Sequence, residues 1–243
     1  MKSPSGRSEA GDAAAGATVI ASGPYRFPLN GRLTPDSTTL LAIDMQGDFC
    51  RPGGFMDRLG LPFEALQSVL PRAAALLERF RALGFPVIHT RETFRPDLSD
   101  AQVNRLWRGP DGRRPIVGDS GPLGRHLVAG EPGWAIMPEV APHDGELVFD
   151  KPSYGAFGTT TIDAALRAGG IRNLIVCGVT SDCCVRTIVA EALDRGYDCL
   201  TVSDATGATS PDLHRELMWQ IAIKGGVLGA VADAAAVLDA LPA

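Results

Sequence analysis

Asn173-Leu174-Ile175-Val176-Cys177-Gly178, continued by Val179-Thr180-Ser181-Asp182-Cys183-Cys184-Val185-Arg186-Thr187, reads as a strand handing over to a helix. The first part is an unbroken apolar run, the pattern of a strand covered on both faces of a parallel sheet. From residue 183 the pattern turns helical and predicts a helix over 183–195, with Gly196 as its stop. Such a strand–helix turn lies at the carboxyl edge of its sheet, where ligands of open α/β sheets bind. A thiol in that turn, Cys184, meets unpaired N–H groups and the positive end of a helix dipole, which favour the thiolate.

The same alternation extends in both directions. Thr38–Asp44 reads as a buried strand ending in a carboxylate. Leu66, Val69, Leu70, Ala73, Leu76, Leu77, Phe80 and Leu83 recur at helical spacing over 64–83, and Gly84 follows as the stop. Further strands are predicted at 86–90, 146–150, 199–203 and 227–231, with helices at 159–168, 212–224 and 233–241. Between them, 91–146 is a long Gly- and Pro-punctuated stretch with a short helix expected near 121–128, and an irregular insertion of that length is usually functional. Strands alternating with helices imply an α/β fold with a parallel sheet covered on both faces, in a single domain over 24–243. Residues 1–23 are rich in Gly, Ala and Ser and read as a disordered tail.

Composition narrows the function. The 243 residues carry 45% hydrophobic and 21% charged side chains, as a soluble globular chain does. A net charge of −5 and a pI near 5.4 argue against nucleic acid or an anionic membrane as partner. No run reaches the about 18 apolar residues of a membrane helix. The five cysteines at 50, 177, 183, 184 and 199 form no spaced framework, so free thiols in a reducing cytoplasm are expected. The four histidines are scattered with no ligand spacing, and neither a metal nor another cofactor is expected.

Asp44, Lys151 and the Gly178–Cys184 turn all fall at or just past predicted strand ends, on one edge of the sheet. An Asp beside a Cys can take the thiol proton and return it to a leaving amine. A Lys nearby holds the Asp ionised. Backbone N–H groups of the turn are suited to an oxyanion. Together these fit attack on an amide carbon, loss of ammonia or an amine, and hydrolysis of the thioester.

Three motifs carry a family resemblance. Asp44-Met45-Gln46-Gly47-Asp48-Phe49, Lys151-Pro152, and Gly178-Val179-Thr180-Ser181-Asp182-Cys183-Cys184-Val185 resemble the signatures of the isochorismatase-like cysteine hydrolases over roughly residues 24–241. The resemblance implies a three-layer, doubly wound, six-stranded parallel sheet. It implies a triad in which Asp44 is the acid/base, Lys151 its partner and Cys184 the nucleophile. A cis peptide between Val179 and Thr180, and an oxyanion hole of the Thr180 and Cys184 N–H groups, are also implied. Within the family the chain is most like biuret hydrolases and more distantly like ureidoacrylate amidohydrolases. Gln46, Phe49, Tyr154 and Lys224 are then the expected substrate-binding residues. Tyr154 and Lys224 depart from the biuret pattern, which has Lys and Gln there, and a cation at 224 suits a substrate bearing a carboxylate. His89-Thr90-Arg91-Glu92 stands where nicotinamidases carry an Asp-x-His metal motif. The family implies a homotetramer or dimer acting on a small-molecule amide.

Other readings are a hydrolase of another small carboxamide, a binding protein that has kept the fold, and a redox dithiol at Cys183–Cys184. The intact Asp44, Lys151 and Cys184 weigh against the second. The strain of a disulfide between neighbours weighs against the third.

Overall fold

The computed structural model describes residues 19–106 and 116–242. Six strands build one parallel sheet: β1 (Thr38–Ile43), β2 (Val87–Glu92), β3 (Leu147–Lys151), β4 (Asn173–Val179), β5 (Asp198–Gly207) and β6 (Ala230–Ala232). Their order is β3-β2-β1-β4-β5-β6, and every pairing is parallel. The connections run outward from β1 in one direction and from β4 in the other, so the topological switch point lies between these two central strands.

Side chains alternate across the sheet with the period of a strand. Leu40, Ala42, Ile175, Cys177 and Val179 enter one core, and Leu41, Ile43, Leu174 and Val176 enter the other. The first core is covered by α1 (Leu70–Ala82), through Leu70, Ala73, Leu76, Leu77 and Phe80, and by α5 (Ala234–Ala240) through Val237. The second is covered by α2 (Ile162–Ala168) and α3 (Arg186–Leu193), through Ile162, Leu166, Ile188, Val189 and Ala192. The result is the three-layer, doubly wound α/β architecture expected from the alternation of elements. Each fully buried Leu or Ile in these cores stabilises the fold by about 1.5–3 kcal/mol.

Several boundaries differ from the sequence expectation for local reasons. The helix expected over 64–83 is two pieces, a turn at Phe63–Gln67 and α1, because Pro71 has no N–H to bond back to Gln67. No helix forms over 121–128. Ser120–Gly121 pairs antiparallel with Gly124–Arg125 instead, and positive φ angles at Gly124 and Leu127 are incompatible with a helix. β2 continues two residues past Thr90 to Glu92, and Lys151 is the last residue of β3 rather than the first beyond it. The chain packs from before residue 24: Ile20 is fully buried, its N–H donates to Phe27 O at 2.6 Å, and Gly23 bridges to Val231. The expected disordered tail is therefore corrected for residues 19–23, and its first 18 residues lie outside the described ones.

α4 (Pro211–Gly226) begins at Ser210, whose hydroxyl accepts from Leu213 N–H, and its regular ladder breaks at Ile223–Gly225. Among the described residues, no helix is long and apolar enough to cross a membrane.

Candidate active site

Four neighbouring strands deliver side chains to one point at the carboxyl edge of the sheet. Asp44 follows β1 with φ +49, a conformation that costs about 1–3 kcal/mol in a residue other than Gly. Its N–H donates to Thr90 O and its carbonyl accepts from Gln46 N–H, which hold that turn in place. Next to it, Gly178 on β4 has φ +118, and a Cβ there would lie 2.1 Å from Ile43 O. Only glycine lets β1 and β4 approach this closely, and the approach sets Asp44 beside the Thr180–Cys184 turn.

Asp44 is fully buried between two donors. Lys151 Nζ lies 2.7 Å from Oδ2, and Thr90 Oγ1 donates to Oδ1 at 2.6 Å. Lys151 also donates to Ser153 O at 2.8 Å. Burial works against the Lys151 ammonium, but the negative charge of Asp44 and its hydrogen bond to Lys151 hold the Lys151 pKa above the ordinary value.

Cys184 lies in a single π-helical turn, Ser181–Val185, just before α3. The Val179–Thr180 peptide ahead of the turn is cis. Cys184 Sγ is 3.7 Å from Glu92 Oε2, and atoms of Asp44, Glu92 and Cys184 all lie within 4.8 Å of one another. The hydrogen bond with Cys183 and burial push the Cys184 thiol well above its usual pKa. Lys151 opposes that shift and Asp44 adds to it. The same hydrogen bond lowers the pKa of the less buried Cys183, which is the easier of the two to ionise. The helix-dipole argument for a resting thiolate is thus corrected. At rest Cys184 is a thiol facing two carboxylates, and a base must deprotonate it. Lys151 on Asp44 and Arg105 on Glu92 already place two cations against this cluster, and both would repel a metal ion bound there.

A cavity of about 270 Å³ opens over Cys184. Phe49, Phe55, Met56 and Val117 form its apolar walls, and Glu92, Arg105, Tyr154 and Thr180 supply polar groups. Arg105 is ion-paired with Glu92 and stacks 3.9 Å from the Tyr154 ring centroid.

The expected substrate-binding residues divide. Phe49 and Tyr154 line the cavity. Gln46 does not, because both ends of its amide serve the backbone: Oε1 accepts from Glu92 N–H, and Nε2 donates to Glu92 O and Trp134 O. It ties the insertion after β2 to the turn after β1. Asp48 does the same, accepting from Leu127 N–H at 2.7 Å beside His126. Lys224 is exposed at the break in α4 with φ +54, and it is not part of the cavity wall. Glu92 and Arg105 belong to the cavity, and the sequence reading assigned them no role. Glu92 lies two residues past the strand expected over 86–90, and Arg105 lies inside a segment without periodicity, so the pattern of the sequence marks neither.

The isochorismatase domain, as a sequence family, matches residues 38–235. The chain belongs to the isochorismatase family. It is 28% identical over 212 residues to the ureidoacrylate amidohydrolase RutB of Methylobacterium radiotolerans, covering 86% of this chain and 81% of that protein. Its fold is similar to the crystal structure of a cysteine hydrolase from Pseudomonas syringae pv. phaseolicola 1448A, with a TM-score of 0.71 and 26% identity, covering 86% of this chain and 93% of that one. The N-carbamoylsarcosine amidase of Thermoplasma acidophilum superposes with a TM-score of 0.61 at 26% identity, over 82% of this chain and 96% of that one. This isochorismatase-family chain is an amidohydrolase. The finer likeness to biuret hydrolases is not what these relatives carry; two of them are named for ureidoacrylate and N-carbamoylsarcosine.

Proposed function

We propose that this amidohydrolase cleaves a C–N bond of a small ureido or carbamoyl substrate that bears a carboxylate, in the manner of ureidoacrylate, through a thioester on Cys184. The observation that carries the chemistry is the fully buried Asp44–Lys151 pair at 2.7 Å, with the Asp44 carboxylate beside the Cys184 thiol.

Asp44 takes the thiol proton, and the sulfur attacks the carbonyl carbon. The N–H groups of Thr180 and Cys184 face the developing oxyanion. Protonated Asp44 then returns its proton to the departing nitrogen, and the C–N bond breaks with release of ammonia or the amine. A water, deprotonated by Asp44, hydrolyses the thioester and restores the thiol. Lys151 remains an ammonium throughout, so Asp44 begins each cycle as a carboxylate. A cavity of about 270 Å³ suits a substrate of this size, and the relatives named for ureido and carbamoyl substrates support the substrate class.

Ammonia release from ureidoacrylate, biuret, N-carbamoyl amino acids, nicotinamide and maleamate tests the reading. A kcat/KM on ureidoacrylate or an N-carbamoyl acid at least ten times that on biuret is expected. Faster turnover of biuret would overturn the carboxylate-bearing class. No ammonia from any of them would overturn the reading as a whole.

A further inference from the structure

We infer that Arg105 is the group that receives the substrate's carboxylate, and so sets the preference for acidic ureides over neutral ones. The inference rests on the ureide reading above. Arg105 contributes the only Lys or Arg side chain to the described cavity wall. Its side chain is 9% exposed, and one face of the guanidinium is engaged: Nη2 pairs with Glu92 Oε1. The other terminal nitrogen, Nη1, is buried and has no hydrogen-bond partner among the described residues. A buried guanidinium N–H without an acceptor is costly, and a small shift of this cavity-lining side chain would let a ligand oxygen supply one.

The geometry fixes the unused edge. Arg105 is stacked 3.9 Å from the Tyr154 ring centroid and lies 5.6 Å from that of Phe94, so its plane is held between the aromatic groups and the Glu92 contact. Glu92 in turn lies 3.7 Å from Cys184 Sγ through its other oxygen. Cys184, Glu92 and Arg105 therefore follow one another along the cavity wall. A substrate whose reacting carbonyl sits at Cys184 can place a distal carboxylate against the Arg105 guanidinium, with Nη1 turned into the cavity to meet it. A neutral ureide has nothing there that matches a cation. A carboxylate buried in a wall of Phe49, Phe55 and Met56 without such a partner would be strongly disfavoured. Lys224, the cation expected from the sequence to read this charge, is exposed elsewhere, which leaves Arg105 for the role.

Binding without turnover separates this inference from the reaction itself. In a Cys184→Ala background, calorimetry with 3-ureidopropionate and with neutral propylurea measures what the carboxylate contributes. The inference expects the acid to bind at least tenfold tighter. Adding Arg105→Gln should weaken the acid by about 10- to 100-fold, the range of a hydrogen bond to a charged group, and change propylurea less than threefold. Arg105→Lys should recover part of the loss. Glu92→Gln, which keeps the Arg105 charge, should preserve the discrimination. Equal loss of both ligands in Arg105→Gln, or equal binding of both to the Cys184→Ala protein, would overturn the inference. So would a Glu92→Gln effect as large as that of Arg105→Gln, which would make Arg105 a positioning residue for Glu92. The ureide reading is judged separately, by ammonia release from the unmodified enzyme.

Discussion

Lys151 Nζ lies 2.7 Å from Asp44 Oδ2, and neither side chain is exposed to solvent. Two opposite charges at this depth are tolerable only as a pair, and losing one partner leaves the other uncompensated. Lys151→Met should therefore destabilise the protein by about 3–5 kcal/mol, read from urea denaturation, and abolish turnover. The double substitution Asp44→Asn with Lys151→Met should recover more than half of that stability and none of the activity. A double variant as unstable as the sum of the singles would show that the two side chains do not act as a pair.

The titration of the adjacent thiols gives a labelling prediction. The hydrogen bond with Cys183 and burial raise Cys184, and Asp44 adds its negative charge. At pH 7.5, iodoacetamide should label Cys183 before Cys184 in the resting enzyme, as read by peptide mass spectrometry. Asp44→Asn removes the opposing charge, so labelling of Cys184 should become faster while hydrolysis falls by about 10²- to 10⁴-fold. Slower labelling of Cys184 in that variant would mean that Asp44 activates the thiol even without substrate. Cys184→Ala should fold and be inactive, and Cys183→Ala should retain turnover. Loss of turnover in Cys183→Ala alone would reverse the two roles.

The sheet and three of the site's side chains were legible because they depend on local pattern. Apolar runs of strand length, each followed by a chemically distinctive residue, mark Asp44, Lys151 and Cys184 as products of separate strand ends. The parallel register then brings them together. What was not legible depends on contacts between distant segments. Gln46 has the donors and acceptors of a ligand-binding residue, yet they are consumed by the backbone of Glu92 and Trp134. Glu92 lies in the part of β2 that continues past the predicted strand, where its pairing with Lys151 on β3 extends the ladder. Arg105 belongs to the stretch whose sequence has no period, so only the folded cavity reveals its neighbours. The helix expected over 121–128 failed because Leu123, Leu127 and Val128 mimic helical spacing while the chain at Gly124 and Leu127 adopts positive φ.

Gly178 makes the approach of β1 and β4 testable. Gly178→Ala would set a Cβ 2.1 Å from Ile43 O on a backbone with φ +118. Neither atom can move aside, because both belong to the central strand pair. Strain and overpacking together should cost about 3 kcal/mol or more, seen as a lowered urea midpoint, and activity should be lost with the displaced Asp44 turn. Wild-type stability in this variant would mean that the two strands have room to separate.

Acid sensitivity should have an identifiable source away from the active site. Burial opposes the charge of Glu146, but the Arg81 fork, the His143 N–H and His89 outweigh it and hold its pKa at about 2, below the ordinary 4.5. A carboxyl whose folded pKa is depressed binds fewer protons when folded than when unfolded. Its contribution is complete above the unfolded value and is lost as pH falls from about 4.5 towards about 2. Glu146→Gln should therefore lower the melting temperature at neutral pH and flatten its dependence on pH across that window, because the charge that responds to acid is gone. Parallel melting curves for the two proteins over the same range would place the acid-sensitive group elsewhere.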